Sequence, residues 1–245
     1  MEKYERILRK IAEVYQRKER DAEEYLTKAR RLKKEIGLSF AIVYCWFFSI
    51  PQKWTQVEPK IFELSRYTNS FDLNSMLFMN SKRIAQILKP IIFYNQISMH
   101  LKNFCKVIHD EYRSWENFSN SLEKETIFTI FKRIRRNKSS RVTFKNLAAM
   151  KIFVGMNNDL FILDTHVAKV LGLSKHEQTK INVQRRLFEK MLMFSEKITY
   201  DLREMGFNEV TTAKWSLAIW FNGAKISAND LLKENKFKSY ATPLS

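Results

Sequence analysis

Apolar positions recur along this chain at helical rather than strand spacing. Over residues 3–35, Tyr4, Ile7, Leu8, Ile11 and Tyr15 lie three, four, seven and eleven positions apart on a background dense in both signs of charge. That pattern predicts one long helix, or a helix pair, with a solvated outer face. Residues 38–50 (LSFAIVYCWFFSI) are almost wholly apolar. Periodicity does not separate a buried helix from a buried strand there, but the lack of partner strands favours a core helix stopped by Pro51. Short helices are expected over 56–68 and 71–79, and helical pattern over 81–113 with a break near Pro90. One helix with a basic end is expected over 121–136, and an apolar helix capped by Thr143 over 143–156. The turn NND and the apolar FILD lead to a helix beginning THVAKVLGL. Two amphipathic helices follow, over 182–204 (Leu187, Met191, Phe194, Ile198) and 209–224 (Trp215, Trp220). The last twenty residues are polar and are expected to be loose.

Composition supports an all-α fold. Gly (5) and Pro (4) are too scarce for the turns of an all-β protein, and no glycines cluster as in a phosphate-binding loop. Hydrophobic residues make up 45% of the 245, enough for one sizeable core or for two lobes around one cleft. Two cysteines, Cys45 and Cys105, are too few for an iron–sulfur cluster or a Cys-based zinc site, and no HExxH occurs, so no metal or cofactor is expected. The charged start and the absence of an apolar run near the ~20 residues of a membrane span point to an intracellular protein with reduced thiols. The net charge of +17 exceeds what solubility requires and points to a polyanionic partner, nucleic acid before an anionic membrane surface. The first helix mixes both charges on its polar face, which argues against the membrane.

Two residues stand out chemically. Lys145 sits near the start of an otherwise apolar helix, on a face shared with Ala148, Ala149 and Ile152, and one turn from Arg141. Desolvation, the helix N-terminus and the neighbouring guanidinium all disfavour its ammonium form. A neutral amine is what a Schiff-base nucleophile needs. On local sequence alone, a snorkelling surface lysine is the stronger reading. Asp164 precedes a helix as its N-cap, and a carboxylate held by backbone amides can still stabilise a cation. Lys151 is a rival nucleophile, 13 residues from Asp164.

The segment KNLAAMKIFVGMNNDLFILDTHVAKVLG (145–172) resembles the catalytic core of the helix-hairpin-helix DNA glycosylases, most closely the archaeal-type 8-oxoguanine DNA glycosylase/lyases. The resemblance rests on the 19-residue step from Lys145 to Asp164, the context Asp164-Thr165-His166, and the intervening Val154-Gly155. A second stretch, RRLFEKMLMFSEKITYDL (185–202) followed by KWSLAIWF (214–221), is similar to the C-terminal helices of the archaeal branch. The likeness is good over about 140–222 and loose before that, where the apolar run ending near Trp54 is similar to a helix of the family's barrel. It implies two helical lobes around a DNA-binding cleft within one domain, 36–140 forming a barrel and 1–35 joining 141–245. It further implies Lys145 as nucleophile, Asp164 as electrostatic partner, Trp220 stacking on a flipped base with Ser216 beside it, and Trp54 as a candidate opposite wall. Lys138, Arg141, Thr143 and His166 would contact DNA. One departure matters: Arg141 and Thr143 stand where the family's hairpin carries glycines, so the hairpin is atypical and lacks the glycines of an anion nest.

The expected activity is excision of 8-oxoguanine through a lysine Schiff base, followed by β-elimination (DNA glycosylase and AP lyase), on double-stranded DNA and as a monomer. The alternatives are a glycosylase for another damaged base and a non-catalytic helical DNA-binding protein.

Overall fold

The computed structural model describes residues 2–50, 52–136, 140–154 and 157–232. Among the described residues the chain forms α-helices and short 3-10 turns, with no strand, so the fold is all-α. The 3–35 segment is one helix, α1 (Glu2–Glu35). The ambiguous apolar run is α2 (Leu38–Trp46) with a 3-10 turn over Phe47–Ser49. Phe40 through Phe47 are all at most 1% exposed, so α2 is apolar all round because it is surrounded on every side.

Next come α3 (Trp54–Tyr67), α4 (Leu73–Phe78), α5 (Ser81–Ile87) and α6 (Tyr94–Tyr112). The break near Pro90 therefore falls between α5 and α6. Trp54 opens α3 rather than ending the apolar run. The single helix expected over 121–136 is two, α7 (Trp115–Lys124) and α8 (Ile127–Ile134). Glu125 is extended there, and Thr126 caps α8 by accepting the Thr129 amide. A threonine that can cap a new helix competes with continuing the old one.

The remaining helices are α9 (Phe144–Phe153), α10 (Thr165–Val170), α11 (Lys175–Ile181), α12 (Arg185–Glu204) and α13 (Thr212–Ala224). α11 has no counterpart in the sequence pattern; the Ser174–Glu177 capping box starts it. The loose tail falls mainly on 233–245, outside the described residues, as do Lys138 and Gly155.

Two packing relationships position the rest. The apolar stripe of α1, from Ile7 and Ile11 to Tyr25 and Leu32, lies mainly along α13, with further contacts to α2, α12, α10 and α9. Tyr25 stands at the centre, edge-on to Phe153 of α9 and Phe221 of α13. α9 in turn packs chiefly on α2 and also touches α7, α8 and α1. It is nearly all buried, and Thr143 caps it in a reciprocal box with Asn146.

Asn146 is fully buried and does more than cap. Its Oδ1 accepts from the Thr143 amide (3.0 Å) and hydroxyl (2.7 Å). Its Nδ2 donates to the carbonyls of Trp46 (2.7 Å) and Cys45 (3.3 Å) at the end of α2. One side chain thus locks the start of α9 to the end of α2. We predict that Asn146→Leu destabilises the fold by about 2 kcal/mol, a fall in Tm of about 4–8 °C. Thermal unfolding checks this against Asn95→Leu at an exposed position of α6.

Candidate functional site

The start of α9 and the start of α10 open into one cleft of about 1060 Å³. Lys145 enters it from α9, in the first turn after the Thr143 cap. Asp164 enters as the N-cap of α10, its Oδ1 accepting from the Val167 amide at 2.8 Å. The buried run Leu160–Leu163 leads into α10, and the Asp164 carboxylate acts electrostatically on Lys145.

Both groups are held where charge is costly. Lys145 is half-buried, and burial lowers its pKa from the ordinary lysine value, with the Asp164 charge opposing. Asp164 is buried, and burial raises its pKa; the Lys145 charge opposes first, then the Val167 amide, His166 and the His166 amide. The two interact through their charges without a direct ion pair, and among the described residues Lys145 Nζ makes no hydrogen bond. An amine that deprotonates more readily than a solvated lysine, next to a carboxylate fixed by backbone amides, can attack an electrophilic carbon while the carboxylate stabilises adjacent positive charge.

The walls are aromatic and the charged lining is basic. Trp54, Trp220 and Phe48 all line the cleft. Trp54 lies flat on Phe48 (centroids 4.7 Å, 14°) and donates its Nε1–H to the Tyr44 hydroxyl at 3.1 Å. Trp220 is half-buried, resting on Tyr25 and Phe221. Trp54 is buried, at 7% exposure, whereas the half-buried Trp220 is the more accessible of the two indoles. Among the described Lys, Arg, Asp and Glu side chains of the lining, Lys53, Arg141, Lys145, Lys175 and Lys225 are basic and Asp164 alone is acidic.

Lys145, Asp164, Trp54, Trp220, Ser216, Arg141, Thr143 and His166, singled out in the sequence, all line this cleft. Two of them have spent their hydroxyls on the fold. Ser216 donates to the Ala213 carbonyl (3.0 Å) and accepts from the Ile162 amide (3.5 Å), which docks α13 on the segment ahead of α10. Thr143 is engaged with Asn146. Lys151 is separated from the rest: its Nζ donates to the Glu125 carbonyl at 2.8 Å at the α7–α8 junction, and it does not line the cleft. The structure therefore distinguishes the two lysines of α9.

Sequence reading missed Asn146, Asn182, Gly223 and the lysines 53, 175 and 225. Only Gly223, a glycine inside a helix, left a signal. A Cβ there would lie 2.8 Å from the His166 Cβ and closer still to its ring, so α10 and α13 approach at this point because no side chain intervenes. Arg141 also takes on a role invisible in sequence. Its φ is +52°, the left-handed region that favours glycine. The backbone ahead of α9 adopts at Arg141 a conformation suited to glycine while carrying a cation.

No family model, curated protein or solved structure matches this chain. Among the described residues no three His, Cys, Asp or Glu side chains gather as a metal site, and no helix is long and apolar enough to cross a membrane.

Two outcomes follow. Gly223→Ala should destabilise the protein by about 1–3 kcal/mol despite alanine's better helix propensity, because the clash involves a Cβ that rotation cannot move away. Urea unfolding checks it, and a stabilised variant would refute the close approach. Arg141→Gly should relieve the left-handed strain and stabilise the fold by up to about 1 kcal/mol. Measured in the same way, a loss of stability would show that the guanidinium holds the fold together.

Proposed function

We propose that this protein is a DNA glycosylase with AP lyase activity, built on the helix-hairpin-helix plan with an arginine in place of a hairpin glycine. The observation that carries this reading is the convergence in one cleft of Lys145, Asp164 and two tryptophans, drawn from residues 54 to 220, inside a lining rich in lysine and arginine. The chemistry and the partner then agree. Cations bind the phosphates of a duplex without regard to sequence. A damaged nucleotide, 8-oxoguanine in the first instance, is turned out of the stack and its planar base held against Trp220; Trp54, buried against Phe48, backs the cleft wall instead of supplying a free stacking face.

Lys145 Nζ, as the free amine, attacks the anomeric carbon while the glycosidic bond breaks and the base leaves with the bonding electrons. Asp164 stabilises the cationic sugar in passing. Loss of a proton and opening of the sugar ring give the Schiff base, whose electron-withdrawing iminium permits loss of the adjacent C2′ proton and of the 3′-phosphate. The lobes this reading requires are α2–α8 on one side and α1 with α9–α13 on the other. The basic surface and monomeric engagement of a duplex belong to the same reading.

The deciding experiment incubates the protein with a duplex bearing one 8-oxoguanine under borohydride and resolves covalent protein–DNA adducts on a denaturing gel. We expect an adduct that disappears in Lys145→Ala and persists in Lys151→Ala. Retained duplex binding with no adduct on 8-oxoguanine, other damaged bases or an abasic site would overturn the lysine Schiff-base reading and favour a monofunctional glycosylase or a DNA-binding protein. Adduct on another lesion alone would change the substrate but keep the chemistry.

The pH dependence has a defined sign. Trapping should rise with pH through a midpoint below that of a solvated lysine, because burial lowers the Lys145 pKa. On the acid side it should fall off at higher pH than an ordinary aspartate would dictate, because burial raises the Asp164 pKa. Single-turnover rates against pH measure both limbs.

A further inference from the structure

Asn182 is a buried residue in the turn between α11 and α12, and it lines the same cleft. Its backbone carbonyl accepts the Phe144 amide at 3.0 Å, which places it against the residue preceding Lys145. Its Nδ2 donates to the Leu163 carbonyl at 3.2 Å, next to Asp164. Since Leu163 offers only an acceptor, this bond fixes which end of the amide is nitrogen and which is oxygen. The other end, Oδ1, is buried with no hydrogen-bond partner among the described residues.

A buried acceptor without a donor is costly and uncommon. Lys145 is the complementary case: an amine in the same cleft, next in sequence to the residue that Asn182 holds, and without a hydrogen bond of its own among the described residues. We propose that Asn182 is the positioning residue for Lys145, its Oδ1 accepting one N–H of the lysine when the side chain turns toward the α11–α12 turn. An amide is suited to this task. It orients the amine and stabilises the ammonium modestly, without the full charge by which a carboxylate would keep the lysine protonated. The other charged or titratable groups lining the cleft are Asp164 and His166 of α10, Arg141 ahead of α9, Lys53 ahead of α3, Lys175 of α11 and Lys225 after α13. Asp164 is the one whose charge acts on Lys145. The proposal rests on the reading of Lys145 as the nucleophile but not on the identity of the substrate.

The test therefore needs no DNA. The full chain is treated with formaldehyde and cyanoborohydride across a pH series. Methylation of Lys145 is followed by peptide mass spectrometry, with exposed Lys53 and Lys175 as internal references. Asn182→Leu removes the acceptor and should move the Lys145 midpoint down, raising its labelling at neutral pH roughly threefold. Asn182→Asp puts a charge in the same place and should move it up, with at least a threefold loss. Circular dichroism checks folding, and the near-isosteric Asn182→Asp decides if Asn182→Leu does not fold. Shifts in these opposite directions, with Lys53 and Lys175 unmoved, support the role. A Lys145 midpoint unchanged in the folded variants overturns it, as does a shift of the same sign in both. If the glycosylase reading alone fails, DNA adducts are absent while the opposite shifts of Lys145 persist.

Discussion

The rest of the site depends on how the first turn of α9 is held. A helix that begins in the interior must find partners for its first amide groups away from water. Here Thr143 and Asn146 cap it, the Asn182 carbonyl takes the Phe144 amide, and the Asn146 side chain is tied to the last carbonyls of α2. These bonds fix the position of Lys145, which lies between the capped residue and its partner. They also explain why an asparagine can be fully buried here: each of its polar atoms meets a complementary backbone or hydroxyl group.

Burial of Lys145 and Asp164 works against stability, since both would be better solvated in the unfolded chain. The fold offsets this by placing them as a mutually attractive pair and by giving the carboxylate a helix N-terminus. The absence of direct contact between them leaves the amine available, where a tight ion pair would hold it protonated. The aromatic walls complete the contrast: behind Trp54 and Trp220, Tyr44 and Tyr25 share a buried hydrogen bond of 2.9 Å, which secures the wall without presenting further charge to the cleft.

The helical elements were largely legible in sequence because apolar spacing and capping residues are local properties. Thr143 and Asp164 were readable as caps, and both cap as expected. The division at Glu125 was missed although four polar residues, Glu123 to Thr126, interrupt the apolar positions, because such a run also fits the solvated face of one helix; α11 was missed because its seven residues bury only Ile181. Spacing to Asp164, 19 residues for Lys145 and 13 for Lys151, already separated the two lysines of α9 in sequence; the structure adds that one side chain leaves the helix into the cleft and the other toward the Glu125 carbonyl.

Sequence alone therefore determined the helical class, the strong positive charge and the capped start of the helix that bears Lys145. Each follows from residue type and short-range spacing. The tertiary structure decided that eight of the sequence's candidate residues line a single cleft and that Lys53, Lys175 and Lys225 add to its positive charge. It also decided that an arginine takes the left-handed turn, that Asn182 Oδ1 is buried without a partner among the described residues, and that α10 and α13 approach at Gly223. The reason is geometric. A cleft between helices is made of residues far apart in the chain, and hydrogen-bond partners and close backbone approaches exist only once those helices have packed.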